Sequence, residues 1–237
     1  MKSFTLLTLS LAGVAQSHYI FTTFSAGGTS AVRKNINNNS PITNLADPNL
    51  RCNAGGATGG STQTVPVAAG SRVSFSADTP VYHQGPTSLY MTKVPSAATA
   101  DGSTPWFKIK DFGAKTGAGQ ASFDMAKSYD ATIPRCLAPG DYLIRIQQIA
   151  IHNPGSPPQF YISCAQVKVT GGGSTVPPGV SIPGAFKASD PGLTANVSFG
   201  SSLLVLACSA FGCVLVWQGL CLSGWLEVHI SLLFRIW

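Results

Sequence analysis

Apolar and polar residues alternate with period two in several short stretches of the chain, and no apolar stripe recurs at helical spacing over a long run. In Arg72-Val73-Ser74-Phe75-Ser76, and again from Ile162 to Val169, the alternation is that of a strand with one face buried and one wet. Strands are predicted over Ser71 to Ala77, Ser88 to Lys93, Trp106 to Asp111, Tyr142 to Ile151 and Gln159 to Val169, each bounded by Gly, Pro, Asn or Asp. Asn35 to Pro48 breaks the pattern. It is polar, rich in Asn and punctuated by Pro41 and Pro48, and reads as a long surface loop of the kind that carries binding. Gly171-Gly172-Gly173-Ser174 reads as a flexible turn before a Pro-rich stretch.

The pattern changes at both ends. Lys2, an apolar run from Phe4 to Val14, and small residues at Ala15 and Ser17 read as a secretory signal over residues 1–17. Cleavage after Ser17 makes His18 the first residue, whereas cleavage after Ala15 would leave Gln16 first. From about Ser202 the chain turns apolar, nearly unbroken from Leu203 to Trp217 and continuing from Leu220 to Trp237. That first run is short for a membrane span of roughly 20 residues, and no polar spacer precedes it as in a glycolipid-anchor signal. The expectation is one domain over 18–200 and an atypical tail over 201–237, a gene-model artefact such as a retained intron, with a membrane anchor as the alternative.

Without the signal about 220 residues remain, within the range an all-β sandwich fills as one domain. Charged residues are only 10% of the chain, and the net charge of +6 is scattered, without a basic run or interleaved aromatics. That excludes nucleic acid as an expected partner and reads as solvated surface charge. Six cysteines behind a secretory signal imply an oxidising compartment and at least one disulfide. Cys52, Cys136 and Cys164 lie in the body, Cys208, Cys213 and Cys221 in the tail. A bond between Cys52 and Cys164 would close a long loop, valued by chain entropy at about 4 to 5 kcal/mol. Cys136 would then be left over, free or paired with a tail cysteine. Asn38-Asn39-Ser40 and Asn196-Val197-Ser198 match the N-glycosylation pattern at Asn38 and Asn196.

Candidate chemistry rests on histidine. An N-terminal His18 offers two ligating nitrogens, its α-amine and its imidazole. Apart from His229 in the tail, the others are His83, in the turn Tyr82-His83-Gln84-Gly85-Pro86, and His152, which ends the apolar stretch Ile149-Ala150-Ile151. Each alone is most often a structural residue. Period-two geometry places Gln159 and Tyr161 on one face of their strand with Phe160 on the other, so a His, a Gln and a Tyr can converge outside the core. Two imidazoles and an amine make an all-nitrogen, T-shaped donor set that suits tetragonal copper(II), with the Tyr161 phenol as a weak axial group. Structural zinc would want four closed ligands, and no Cys-x-x-Cys spacing exists, so zinc hydrolysis is the weaker reading.

Taken in order, these residues resemble a known family. His18 after the signal, His83-Gln84-Gly85-Pro86, Ile133-Pro134 through Ala138-Pro139-Gly140-Asp141-Tyr142-Leu143-Ile144-Arg145, Ile149-Ala150-Ile151-His152, Gln159-Phe160-Tyr161-Ile162-Ser163-Cys164 and Asp190-Pro191-Gly192 look like the auxiliary activity family 9 lytic polysaccharide monooxygenases, fungal secreted copper enzymes. The resemblance spans His18 to about Asn196. It implies an all-β, immunoglobulin-like (fibronectin-like) antiparallel sandwich with long loops and a flat active face. One copper, cycling between Cu(II) and Cu(I), would be held by the amine and Nδ1 of His18 and Nε2 of His83, with Tyr161 axial. His152 and Gln159 would hydrogen-bond and position the oxygen species. The implied reaction is hydroxylation at carbon 1 or carbon 4 of cellulose or a related β-1,4-glucan, using hydrogen peroxide or dioxygen. Electrons would come from a small phenolic reductant or a partner dehydrogenase. A secreted monomer and a Cys52–Cys164 disulfide are implied too.

The chain also departs from the family. Gln147 stands where many relatives carry Glu, which removes a possible charge beside the copper, and the apolar tail replaces a segment bearing Tyr and Pro-Gly-Pro beside the flat face. Aromatics able to stack on sugar rings are scarce, with Tyr19 and Phe24 close to His18 in sequence. The competing readings are a secreted histidine-brace copper-binding protein without oxidative turnover and a membrane-tethered surface protein that uses the tail.

Overall fold

In the computed structural model the described residues are 18–36, 39–117, 120–153 and 155–194. The expected signal over 1–17, Asn38, Asn196, His229, the tail and its three cysteines lie outside them. Ten strands form among the described residues: β1 (Phe21–Phe24), β2 (Thr64–Ala68), β3 (Arg72–Ala77), β4 (Thr87–Lys93), β5 (Phe107–Phe112), β6 (Lys115–Gly117), β7 (Gln120–Ser122), β8 (Ser128–Thr132), β9 (Gly140–Ala150) and β10 (Gln159–Thr170). Among the described residues helix is confined to single turns, Thr29–Ala31, Pro48–Leu50 and Pro191–Thr194. One sheet runs β1-β3-β8, the other β2-β10-β9-β4-β5, and β6 and β7 make a separate hairpin. Phe21, Phe24, Val73, Phe75, Tyr129 and Ala131 of the first sheet meet Leu89, Met91, Ile144, Ile146, Ala165 and Val167 of the second in one buried core, an all-β sandwich.

The five strands read from alternation or apolar runs are β3, β4, β5, β9 and β10, within a residue or two at each end. Three others are weaker in sequence. β1 has four residues and a register shift between Phe21 and Thr23, which breaks its period. β2 carries Pro66, which cannot donate to a ladder, and it lies at the sheet edge accordingly. β8 offers only Tyr129 and Ala131 to the core. The expected sandwich is antiparallel, yet β2 runs parallel to β10.

β10 corrects another expectation. Its outer face is buried from Phe160 through Val167, not wet, because the long loops fold back over that side of the five-stranded sheet. Ile42, Leu50, Trp106, Ile182, Phe186 and Leu193 from these loops pack on Tyr90, Leu143, Ile149, Phe160 and Ile162 as a second core. Phe160 exchanges backbone hydrogen bonds with Ile42, in the middle of the Asn-rich loop. The Cys52–Cys164 disulfide ties the same loop system to β10 across 112 residues of sequence, a closure that loop entropy values at about 5 kcal/mol. Cys136, outside this pair, is buried.

The scattered cations are not all solvated surface charge. Arg33 is buried, and its guanidinium donates to Gln166 Oε1 and to the carbonyls of Gly56 and Ala97. Arg145 is fully buried and donates to the carbonyls of Leu50 and Arg51 and to Gln147 Oε1, with its guanidinium over the Tyr90 ring. Burial pulls each guanidinium down to about 10. Both cations act as cross-pins between loop backbone and sheet, donating to carbonyl oxygens of the irregular loops. Gln147 is therefore not beside the candidate copper residues. It points into the second core as the partner of Arg145.

Candidate metal centre

The candidate residues His18, His83, His152, Gln159 and Tyr161 lie close together. His18 enters β1, and its carbonyl accepts from Asn39 Nδ2 at 2.7 Å, so the Asn-rich loop touches the N-terminal stretch. His83 sits in the turn before β4. The turn hugs the end of β9, where Ile149 N donates to Pro86 O at 2.9 Å and Ile151 N to Gln84 O at 3.0 Å. Gly85 makes this approach possible. A Cβ there would lie 1.8 Å from the Ile149 carbonyl oxygen, and its φ of 150° is one that other residues rarely adopt.

The His18 and His83 ring centroids are 6.3 Å apart with planes 61° to one another. A metal between two imidazoles, about 2 Å from one nitrogen of each, separates their centroids by about 6 Å when the rings face each other across it. Tyr161 lies near both, its ring 5.9 Å from that of His18 and 5.8 Å from that of His83. Its hydroxyl donates to Gln159 Oε1 at 2.9 Å, so the period-two placement of Gln159 and Tyr161 is realised, with Phe160 on the opposite face against Phe186. His152 follows β9 and stacks flat on His83, 4.1 Å centroid to centroid with planes within 6°. Thus His18, His83, His152, Gln159 and Tyr161 all converge.

Burial shapes the titration of the groups around the two histidines. Burial, reinforced by the neighbouring phenols, pushes the Tyr161 and Tyr19 hydroxyls well above the ordinary tyrosine value, so both stay protonated. Burial and the nearby His18 hold His152 below the usual histidine value. The buried Nδ1 of His152 has no hydrogen-bond partner among the described residues. Among those residues no group of three or more His, Cys, Asp or Glu is placed to hold a metal. The donors this site could offer a metal are the imidazoles of His18 and His83 and, were the chain cut after Ser17, the His18 nitrogen that the cut would convert from amide to amine. That all-nitrogen set, with a phenol near it and no carboxylate or thiolate, fits copper(II).

Two residues were missed by sequence reasoning, and two were misplaced. Tyr19 is not available for sugar stacking. It is buried, stacked on Tyr161 at 4.3 Å, and its hydroxyl donates to Gln148 Oε1. Phe24 is likewise in the core, against Phe75. The exposed aromatic is Tyr82, 40% accessible, its ring held by T-shaped contacts with Tyr19 at 5.3 Å and His83 at 4.6 Å. Its position beside His83 in sequence was the available signal. Gln148 was also missed, and nothing local marks it, since its neighbour Gln147 is the same residue type on the opposite face.

Comparison with known proteins agrees with this geometry. The model of auxiliary activity family 9, formerly glycoside hydrolase family 61, matches residues 5–202 and stops where the apolar tail begins. The chain is 53% identical over 216 residues to the AA9 family lytic polysaccharide monooxygenase E of Podospora anserina, covering 87% of this chain and 73% of that protein. It is 52% identical over 209 residues to monooxygenase A of the same family from Botryotinia fuckeliana, covering 83% of this chain but 65% of that longer protein, just under two thirds of its length. Among solved structures, HiLPMO9B is 32% identical with a TM-score of 0.68, covering 76% of this chain and 92% of that one. A cellulose-active polysaccharide monooxygenase from M. thermophila is 31% identical with a TM-score of 0.66, at the same coverage. With its sandwich, its converging histidines and a match over most of its length, the chain belongs to auxiliary activity family 9, the copper-dependent lytic polysaccharide monooxygenases.

Proposed function

We propose that the chain, cut after Ser17 and secreted as a monomeric domain over 18–200, cleaves cellulose or a related β-1,4-glucan by oxidation at carbon 1 or carbon 4. The convergence of His18, His83 and Tyr161, with His152 and Gln159 beside them, is the observation that supports this reading. His18, through its amine and ring, and His83, through its ring, would hold the copper, with the Tyr161 phenol beside them. When bound, copper supplies one-electron redox chemistry and the activation of an oxygen co-substrate, hydrogen peroxide or dioxygen, after reduction by a phenolic compound or a partner dehydrogenase.

The protein's own groups then have defined tasks. Tyr161 stays a neutral phenol whose proton is committed to Gln159, which leaves the Gln159 amide nitrogen to donate to an oxygen of the bound co-substrate. His152, flat against His83 and neutral, offers a ring nitrogen as a proton acceptor or donor close to the same place. Exposed Tyr82 offers an aromatic face to a sugar ring of the glucan. Glycans at Asn38 and Asn196 suit a secreted protein. Among the described residues no helix is long and apolar enough to cross a membrane.

The test is incubation of the chain beginning at His18 with copper, ascorbate and a panel of β-glucans including amorphous cellulose. Aldonic acids or 4-ketosugars in the mass spectrum are expected. Tight copper binding without any oxidised oligosaccharide would instead support a copper-binding protein without turnover. N-terminal sequencing of the secreted protein must find His18 first.

A further inference from the structure

The two candidate histidines reach the site on separate stretches, His18 ahead of β1 and His83 in the turn before β4. One buried side chain joins those stretches. Gln148 lies on β9 in register with Tyr161 of β10 on one side and Thr87 of β4 on the other, and it is fully buried. Its Oε1 accepts from the hydroxyl of Tyr19, the residue after His18. Its Nε2 donates to the carbonyl of His83 at 3.1 Å and lies 3.5 Å from that of Gly85. The orientation of the amide is dictated by these partners. Carbonyl oxygens accept only, so the nitrogen must face His83 and Gly85, and the oxygen is left to receive the one proton that Tyr19 has to give.

We propose that Gln148 is a positioning residue that clamps Tyr19 to the His83 turn, so setting the separation and tilt of His18 and His83 and thereby the affinity of the site for copper. The inference rests on the reading of His18 and His83 as ligands given above. The clamp acts on backbone: a bond to the His83 carbonyl fixes the Cα from which that imidazole projects. On the other side, Tyr19 is immobilised by its stack on Tyr161 and its contact with the His83 ring at 5.7 Å. Without the amide, the ring contacts of Tyr19 with Tyr82 and His83 remain, but the hydrogen bonds through Gln148 that set the N-terminal stretch against the turn are lost. A site whose two halves must find their spacing on binding loses affinity to that reorganisation.

The experiment compares wild type, Gln148→Met and Tyr19→Phe, each beginning at His18. Gln148→Met preserves shape and removes every bond, and Tyr19→Phe preserves the ring stack and removes only the bond into Oε1. Copper(II) affinity by calorimetry is expected to fall about tenfold in Gln148→Met, with altered copper hyperfine parameters in the electron paramagnetic resonance spectrum. Tyr19→Phe should move both readouts the same way, and the double variant should be no weaker than Gln148→Met alone, because the two act through one bond. A merely structural role would lower the melting temperature of the metal-free protein while leaving copper affinity within twofold of wild type and the spectrum unchanged, and that result overturns the proposal. If Gln148→Met does not fold, Tyr19→Phe decides on the same criteria. Failure of wild type to bind copper tightly would sink the ligand assignment and the clamp together, whereas tight wild-type binding with unaltered variants sinks the clamp alone.

Discussion

The imidazole of His152 lies flat on that of His83, 4.1 Å away and within 6° of parallel, although 69 positions separate the two in sequence. One ring therefore packs directly on another that stands opposite His18. On the proposed reading His152 would serve the chemistry without serving as a ligand. His152→Ala is expected to keep copper binding within a few-fold of wild type while lowering oxidised-product formation by about a hundredfold. Calorimetry and mass spectrometry of the soluble sugars separate the two effects.

Tyr82 is the exposed aromatic at the site, and its ring is oriented by Tyr19 and His83 before any substrate arrives. Tyr82→Ala should weaken binding to an insoluble glucan by about fivefold, and Tyr82→Phe should retain it, since the ring face is the contact. Depletion of the protein from solution by amorphous cellulose, without reductant, measures this.

Gly85 lets the His83 turn lie against β9. Any Cβ there meets the Ile149 carbonyl, and the backbone conformation adds strain. Gly85→Ala is expected to destabilise the fold by about 3 kcal/mol and to displace His83. Denaturant unfolding of the metal-free protein gives the first effect and loss of copper affinity the second.

The Cys52–Cys164 bond anchors the loop layer to β10. Replacing both cysteines by Ser should cost about 2 to 5 kcal/mol. Comparison of unfolding midpoints for the oxidised and the double-Ser protein checks this.

Arg145 is a buried cation whose Nη1 has no hydrogen-bond partner among the described residues and whose side-chain acceptor is the neutral Gln147. Gln147→Glu would supply a carboxylate at hydrogen-bond distance from the guanidinium, raising stability at neutral pH by about 1 to 2 kcal/mol. Attraction to Arg145 holds the folded pKa of that Glu below its unfolded value of about 4.3. The gain is then fully present above the unfolded value and is lost as pH falls through the folded one. Melting temperatures of the two proteins should differ at pH 7 and converge towards pH 3.

Much of this was legible in the sequence because it was local. His83-Gln84-Gly85-Pro86 spells its own turn, Ile149 to His152 announces the end of a strand, and period two puts Gln159 and Tyr161 on one side of β10. The long strands β9 and β10 were legible for the same reason. β1, β2 and β8 were not, since four or five residues containing a bulge, a proline or two apolar positions acquire their strand character from a distant partner. The wet face expected of β10 and the solvated role expected of Arg33 and Arg145 failed together, because both depend on where the loops go.

Residue types, their order and their local periodicity determined, without coordinates, the all-β class, the strands that carry the site and the candidate residues His18, His83, His152, Gln159 and Tyr161. Tertiary structure alone decided that Tyr19 is buried while Tyr82 is exposed, that Gln147 turns to Arg145 while Gln148 turns to His83, and that loops cover the outer face of β10. Those outcomes are set by contacts between segments far apart in the chain, and side-chain burial is a property of what packs on a residue from elsewhere, which no local pattern records.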